Sequence, residues 1–282
     1  MSLDGRRLPD GTPDRRFVLV ADDYGLSPGV SRAIRELLVA GKLTGTGCMT
    51  LFAEWPGEAA KLLELAPSDR TCIGLHLTLT DFRPLSAAPD KVAMPALKQR
   101  LLAAYGGQGE EGAIHAELDA QLSAFVSAMG HGPAYIDGHQ HVHFLPVVRR
   151  WLLARKSHLQ SLGPLPWLRG APSLAWAPNV RLRAKVAIVA VIALGFDRQM
   201  RAAGYPVKGP LAGFYDWLQP QAFPPLMNFL KERGQHGMVV MCHPGHGDDL
   251  LRARDPLVAA RAVEFAELMG RDSMALRARD AA

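Results

Sequence analysis

The stretch Val18-Leu19-Val20-Ala21-Asp22-Asp23-Tyr24-Gly25 places two adjacent carboxylates directly after a short apolar run. Such a run, bounded by a turn signal, predicts a buried strand at residues 17–21. A carboxylate at the end of a buried strand is unfavourable unless a positive group or a metal ion compensates its charge. The sequence therefore poses the question of what compensates Asp22 and Asp23, and histidines that follow other predicted strands are the natural candidates.

Further apolar runs predict more strands, and helical patterns separate most of them. The seven predicted strands cover residues 17–21, 46–51, 72–77, 134–136, 165–168, 211–215 and 238–242. Strands that alternate with helices pair in parallel. Because no reversal in strand order is evident, the pattern favours an α/β fold, a deformed, TIM-barrel-like (β/α) barrel of about seven parallel strands, over an open sheet. Active sites of such barrels lie at the C-terminal ends of the strands.

The chain predicts one catalytic domain preceded by a short leader. Residues 1–16 are polar and predict a disordered leader, and residues 17–282 form the barrel, with a loop insertion near residues 81–112. Helices are predicted at residues 28–40, 56–65, 113–129, 146–156, 180–203, 220–233 and 255–269. The helix at 180–203 has a nearly all-apolar middle and is predicted to be buried, and Asp255 is the predicted N-cap of the last helix.

Composition argues against several classes of function. The 282 residues are 48% hydrophobic and 21% charged, with a formal net charge of +5, which is ordinary for a globular protein. No Lys/Arg-rich run of about 5–8 residues is present, so a nucleic-acid partner is not indicated. The three cysteines have no metal-type spacing and suit buried thiols in a reducing compartment. The most apolar run, residues 186–194, is far shorter than the roughly 18 residues of a membrane-spanning helix, and we predict a cytoplasmic protein.

Single histidines follow two of the predicted strands. His76 lies in Gly74-Leu75-His76-Leu77-Thr78, and taken alone such a histidine is more often a core residue than a metal ligand. His243 follows the last strand and precedes a Pro-Gly turn. It could simply cap the strand through the backbone, but its position at the strand end favours a role as ligand or general acid.

The segment Asp137-Gly138-His139-Gln140-His141-Val142-His143 carries three histidines at alternate positions. Residues two apart share a face in an extended chain. A solvent-exposed His-rich loop is the alternative interpretation, but the segment follows an apolar strand and precedes Pro146, which favours a metal or catalytic role.

Together these residues supply an Asp, two or three His, a second carboxylate and a further His. Catalytic metal sites typically have three protein ligands and one open position. The second carboxylate could then take a proton from water, and the further His could protonate a leaving amine. This set of groups is typical of amide hydrolysis.

Four motifs in combination resemble the YdjC-like carbohydrate deacetylases, a family that includes chitooligosaccharide deacetylases and hopanoid-associated members. They are Ala21-Asp22-Asp23-Tyr24-Gly25-Leu26-Ser27, Gly74-Leu75-His76-Leu77-Thr78, Asp137-Gly138-His139-Gln140-His141-Val142-His143 and His243-Pro244-Gly245. The resemblance implies a deformed (β/α) barrel, one divalent metal ion, either magnesium or zinc, and an N-acetylated sugar or glycolipid as substrate. Two His with one Asp favour zinc on chemical grounds, since magnesium prefers oxygen ligands.

The resemblance also implies a role for each matching residue. Asp23, His76 and His139 match the metal ligands, Asp22 the catalytic base and His243 the general acid. Side chains expected to support the site or to bind substrate are His141, His143, Asp137, Tyr24, Arg169 and Phe214. The stretch Arg261-Ala262-Val263-Glu264 resembles the C-terminal Arg-Glu helix of the family, for which a structural role is expected. Aromatic residues that could stack on a sugar ring are Trp55, Phe214 and Tyr215.

Two alternatives remain open at this point. One is another hydrolase on the same metal site, an amidohydrolase acting on a non-sugar amide or a phosphoesterase. The other is a non-catalytic barrel that binds a metal or a ligand without turnover. A homodimer also remains open, and the sequence assigns no role to His246, Asp248 or Asp249.

Overall fold

Eight parallel strands form one sheet in the computed structural model, which describes residues 16–65, 71–86, 93–105 and 111–273. The strands are β1 (Val18–Tyr24), β2 (Gly45–Cys48), β3 (Cys72–Leu77), β4 (Tyr135–Gly138), β5 (Trp167–Arg169), β6 (Val207–Lys208), β7 (Leu211–Ala212) and β8 (Val239–Cys242). Their spatial order is β6-β5-β4-β3-β2-β1-β8-β7. The predicted leader, residues 1–16, lies outside the described residues apart from Arg16.

The two edge strands of this sheet, β6 and β7, follow one another in the chain, and β7 approaches the segment after β5. Only Gly209 and Pro210 separate them. Leu211 in β7 donates its N–H to the Ala171 carbonyl at 3.1 Å, just after β5, and forms a parallel bridge with Pro172. The sheet therefore curls into a barrel-like form, which confirms the predicted α/β barrel. The strand count is eight instead of seven, because the two residues of β6 are too short to give a periodic signal.

Helices connect the strands on the outside of the sheet. They are α1 (Pro28–Val39), α2 (Trp55–Leu65), α3 (Leu97–Tyr105), α4 (Glu111–Met129), α5 (Pro146–Ser161), α6 (Val180–Ile192), α7 (Phe196–Ala202), α8 (Phe223–Arg233), α9 (Asp249–Arg254) and α10 (Val258–Gly270). Ser27 caps α1 by accepting the Val30 N–H, and Pro28 occupies the first turn. Helix α3 lies within the segment that was expected to be a loop insertion. Within the described ranges, no helix is both long and apolar enough to cross a membrane.

The predicted long buried helix at residues 180–203 is wrong in two respects. It divides into α6 and α7 at Gly195, whose φ of 73° lies in the left-handed region that favours glycine. Helix α6 buries Leu182 and Val186 but exposes an opposite apolar face, with Val180 78% and Val191 64% exposed. Because α6 is apolar on both faces, its composition could not reveal which face packs inward.

The last predicted helix, residues 255–269, begins later than expected, as α10 at Val258. A separate short helix, α9, precedes it, and Asp248 caps α9 by accepting the Leu251 N–H. Asp255 accepts the Leu257 N–H at 2.8 Å just before α10 and also accepts a hydrogen bond from Arg261 Nε at 2.7 Å. The predicted cap residue is therefore also an ion-pair partner.

Every second side chain of the strands points into the barrel, and these inward positions continue to the C-terminal ends of the strands. A cluster of inward-facing apolar residues comprises Val18, Val20, Tyr135, Trp167, Leu211, Val239 and Met241. Successive strand residues point to opposite faces, so the next inward position lies two residues further on. At the ends of four strands that position is polar. The side chains there form a polar layer, which comprises Asp22, Asp137, Arg169 and His243.

Gly74 in β3 makes this interior possible. A Cβ at Gly74 would lie 2.4 Å from the ring of Tyr135, which stacks on Trp167 with ring centroids 4.4 Å apart. Two residues after Gly74, His76 occupies the polar layer. Because every second side chain of a strand faces inward, side chains from β1, β3, β4, β5 and β8 meet in this polar layer.

Candidate active site

Asp22 and Asp23 both reach the polar layer because β1 is irregular at its end. Asp23 has a φ of 67°, in the left-handed region that non-glycine residues rarely adopt. The pairing of β1 with β2 shifts register between Ala21 and Tyr24. A regular strand would have directed the two carboxylates to opposite faces. The bulge directs both towards the site, at the cost of local strain of the kind found at functional sites.

Two histidines converge on one oxygen of Asp23. His139 Nδ1 lies 3.0 Å from Asp23 Oδ1, and His76 Nε2 lies 3.4 Å from the same oxygen. The other ring nitrogen of His76, Nδ1, lies 2.6 Å from Asp137 Oδ1. The side chains of Asp23 and His76 are 1% and 2% exposed, whereas that of His139 is 18% exposed. The cluster is therefore closed on the barrel side and accessible from the His139 side.

The spacing of these three donor atoms fits a divalent metal ion. Ligand atoms bound at about 2.0–2.1 Å lie roughly 2.9–3.4 Å apart at angles between tetrahedral and octahedral values. The two nitrogen-to-oxygen distances fall in that range, and all three donor atoms lie within 4.8 Å of one another. Asp137 supports the second nitrogen of His76, as outer carboxylates do for metal-bound histidines. The donor set of two nitrogens and one carboxylate suits zinc.

A second group, Asp22, His76 and Asp137, also satisfies the distance criterion for a metal. Its centre is already occupied by a cation, because the guanidinium of Arg169 donates to both oxygens of Asp22, at 2.7 and 2.5 Å, and also pairs with Asp137. The Asp23 cluster is therefore the metal site that the geometry favours.

The same arginine controls the charge of Asp22. Burial alone would raise the pKa of Asp22, but the positive charge and hydrogen bonds of Arg169 outweigh burial and lower the pKa to about 2. Asp22 is consequently a carboxylate at neutral pH, next in sequence to Asp23 of the candidate metal cluster.

His243 lies next to Asp22, directly after the end of β8. Its Nε2 is 3.8 Å from Asp22 Oδ2, and its side chain is 12% exposed. The backbone N–H of His243 donates to Glu264 Oε2 at 2.5 Å, and Tyr215 donates its hydroxyl to Glu264 Oε1 at 2.6 Å. Burial lowers the pKa of His243 to about 4, so the imidazole is neutral at neutral pH.

The remaining residues of the His-rich segment surround the site. Gln140 and His141 have positive φ values of 51° and 63°, which turns the chain sharply after β4. The ring of His141 lies 5.4 Å from that of Phe214, and burial lowers the pKa of His141 to about 3. His143 is buried behind Arg169, with Nε2 3.2 Å from the Arg169 carbonyl. His141 and Phe214 thus lie beside the site, and His143 supports it from behind.

Three predicted side chains face elsewhere. Tyr24 donates its hydroxyl to the Glu58 carbonyl at 2.7 Å and accepts from Arg35, so its contacts are with the outer helices. Trp55 is buried and donates its indole N–H to the Ala124 carbonyl. Tyr215 is buried against Glu264, leaving Phe214 as the predicted aromatic residue that borders the site.

Two residues at the site were missed by sequence reasoning. Arg261, expected to be structural, donates from Nη2 to Asp23 Oδ2 at 2.5 Å. Trp217 places its ring 4.8 Å from that of His243. The spacing of Arg261 and Glu264, three residues apart on an otherwise apolar helical face, was the available signal, because two buried charges on one face require partners.

The turn after His243 has a structural role. His246 Nε2 lies 2.8 Å from Glu36 Oε2, and Asp248 accepts backbone N–H groups from Gly29 and Leu251. Asp249 pairs with Arg252 on the surface. These contacts fasten the β8–α9 connection to α1 and thereby hold His243 in place.

Replacing His243 by Gln should flatten the pH dependence of stability in the metal-free protein. Between the folded-state pKa of about 4 and the ordinary histidine pKa of 6.5, the unfolded chain binds more protons, so the free energy of unfolding falls as pH falls. One such group contributes at most about 1.4 kcal/mol per pH unit, and His243→Gln should lose a slope of that order. Urea denaturation across this pH range measures it, with exposed His131→Gln as control. Equal slopes in both variants would contradict a buried, neutral His243.

The sequence is similar to known proteins over most of its length. The family model described as YdjC-like protein matches residues 16–278. A chitooligosaccharide deacetylase of Yersinia enterocolitica is 30% identical over 84% of this chain and 85% of its own length. A carbohydrate deacetylase of Halalkalibacterium halodurans is 29% identical over 92% of this chain and 97% of its own.

Two further comparisons extend the likeness. A mouse carbohydrate deacetylase is 32% identical over 58% of this chain, and the match spans about half of that relative, 54% of its length. A crystal structure of an Enterococcus faecalis V583 protein superposes with a TM-score of 0.63 at 20% identity, covering 90% of each chain; this likeness concerns the fold. Because the family model covers nearly the whole sequence, the chain belongs to the YdjC-like protein family.

Proposed function

We propose that the protein is a metal-dependent hydrolase that removes acetyl groups from N-acetylated amino sugars or glycoconjugates. The observation that carries the proposal is the cluster of Asp23, His76 and His139, accessible from one side, with an ionised Asp22 and a neutral His243 beside it. The names of the family relatives, carbohydrate and chitooligosaccharide deacetylases, supply the substrate class.

Asp23, His76 and His139 would hold one divalent metal ion, with zinc favoured by the donor set. When bound, the metal supplies Lewis acidity, which polarises the acetyl carbonyl and makes a water molecule more acidic. His76 can serve as a neutral ligand because Asp137 fixes its second nitrogen.

Asp22 would act as the general base for the attacking water. Its low pKa keeps it ionised over the whole working range of pH, and Arg169 holds both of its oxygens in place. A carboxylate of such low basicity needs an acidic water as its proton donor, which is what a neighbouring metal provides.

His243 would protonate the leaving nitrogen. Burial lowers its pKa to about 4, so it is neutral before reaction and could take up the proton that Asp22 receives. The separation of 3.8 Å is slightly longer than a hydrogen bond and closes with a small side-chain movement. The imidazolium would then donate this proton to the amine as the amide bond breaks.

Aromatic residues beside the histidines would bind the sugar. Half-buried Phe82, Phe214 and Trp217 place their rings 5.9, 5.4 and 4.8 Å from the rings of His139, His141 and His243 respectively. Apolar ring faces next to polar groups suit a pyranose, which has apolar C–H faces and polar edges.

Acetate release from a series of N-acetylglucosamine oligomers tests the proposal, with phosphate esters and non-sugar N-acetyl amides tested in parallel. We expect acetate from at least one oligomer, and no turnover by His139→Ala, which removes a metal ligand. Preferred turnover of phosphate esters or of non-sugar amides would support the rival hydrolases. Metal binding without turnover on any of these compounds would support a non-catalytic barrel.

A cytoplasmic location and a homodimer remain predictions from the sequence. Cell fractionation and sedimentation equilibrium would test them respectively.

A further inference from the structure

Two buried arginines hold the two adjacent carboxylates in different ways. Arg169 occupies both oxygens of Asp22, at 2.7 and 2.5 Å. Arg261 donates from Nη2 to Asp23 Oδ2 at 2.5 Å. The other oxygen of Asp23, Oδ1, is the one that faces His139 and His76. Arg169 thus binds both oxygens of Asp22, whereas Arg261 binds only one oxygen of Asp23 and leaves Oδ1 available for a further partner.

These contacts are rigid and strong because they are buried. The four side chains, Asp22, Asp23, Arg169 and Arg261, are between 0% and 3% exposed. Charge-assisted hydrogen bonds in such surroundings are little weakened by solvent. Loss of one partner would leave an uncompensated charge in the protein interior.

Arg261 is itself fixed from a second side. Its Nε donates to Asp255 Oδ2 at 2.7 Å, and its Nη2 also pairs with Asp255. Asp255 lies between α9 and α10, so the position of the guanidinium depends on that connection as well as on Asp23.

We propose that Arg169 and Arg261 determine which of the two carboxylates binds the metal, and with how many oxygens. Arg169 withholds Asp22 from the metal and leaves it as the base. Arg261 withholds Oδ2 of Asp23, so that Asp23 binds through Oδ1 alone. A carboxylate can bind a metal through one or both oxygens, and a second bound oxygen would occupy the position that water or substrate needs. Both arginines are positioning residues, and the proposal rests on the proposed metal site.

A charge-balanced pair of substitutions tests whether Arg261 controls metal binding by Asp23 or only stabilises the fold. Arg261→Gln combined with Asp255→Asn removes one positive and one negative charge, and it frees Oδ2 of Asp23. Asp255→Asn alone is the matched control, because Arg261 then remains against Asp23. The readout is the visible absorption of protein loaded with one equivalent of Co²⁺, which weakens as the number of ligands increases, together with kcat per bound metal.

We expect the double variant to bind Co²⁺ with a weaker visible band than wild type and to lose about 10–100-fold in kcat per bound metal. The control should keep the wild-type band. A wild-type band and wild-type kcat per metal in the double variant, with only a lower melting temperature, would overturn the proposal.

A second series retains a buried cation and so favours folding. In Arg261→Lys the single ammonium group is shared between Asp23 and Asp255, and the Co²⁺ band should weaken in part. Adding Asp255→Asn should restore the band, because the ammonium then has only Asp23 as partner. A band that does not respond to either change would also overturn the proposal.

Failure of the underlying metal site gives a different result. In that case Asp23→Asn would bind Co²⁺ as wild type does, or wild type would bind none. If Asp23→Asn loses Co²⁺ while the Arg261 variants keep the wild-type band, the metal site stands and only the role of the arginines is wrong.

Discussion

Asp22→Asn should lower kcat for acetate release by about 10²–10⁴-fold, the usual loss when a general base is removed. Asparagine has the shape of aspartate but cannot accept a proton from water. Metal content should stay at the wild-type level, because both oxygens of Asp22 are bound by Arg169 and the metal ligands lie on Asp23, His76 and His139. Steady-state assay and elemental analysis of the same preparation measure the two quantities.

The control for this variant is Asp119→Asn. Asp119 pairs with Arg155 on the outside of the protein, where its side chain is 35% exposed. Its replacement should leave kcat unchanged. Near-wild-type turnover by Asp22→Asn would show that another group takes the proton, and loss of metal would place Asp22 among the ligands.

Arg169→Met should destabilise the metal-free protein by about 3–5 kcal/mol, as expected when one partner of a buried ion pair is removed. Arg169 is fully buried and bridges Asp22 and Asp137, both of which are also buried. Without the guanidinium, Asp22 loses the hydrogen bonds to both of its oxygens, and among the described residues Asp137 keeps only His76 as a close basic partner. Urea denaturation measures the difference in the free energy of unfolding.

Arg155→Met is the matched control, because Arg155 pairs with Asp119 at the surface with 39% of its side chain exposed. We expect it to cost no more than about 1 kcal/mol. Adding Asp137→Asn to Arg169→Met should recover part of the loss. If Arg169→Met costs as little as Arg155→Met, the arginine does not compensate buried charges.

The sequence predicts the barrel because hydrophobic periodicity is strong over most strands. The strand that it missed, β6, has only two residues. The burial of α6 could not be predicted, since Val180 and Val191 are as apolar as Leu182 and Val186, and only tertiary packing decides which pair faces the core. Helix α9 was not predicted, because its 6 residues are too few to give a clear periodic signal.

The sequence also locates most of the site, since strand ends of a barrel converge. It does not reveal how two adjacent aspartates reach the same place. That depends on the positive φ of Asp23 and the register shift at the end of β1, which are properties of the pairing with β2. It also does not reveal which carboxylates Arg169 and Arg261 bind, because their ion pairs join residues 147 and 238 positions apart.

The central claim is that a metal held by Asp23, His76 and His139 is needed for deacetylation. The most direct test is acetate release from an N-acetylglucosamine oligomer by protein that has been stripped with a chelator and then titrated with Zn²⁺ or Mg²⁺. We expect stripping to abolish acetate release, and about one equivalent of metal to restore it in wild type but not in His139→Ala. Full acetate release by metal-free protein, or equal restoration in His139→Ala, would contradict it.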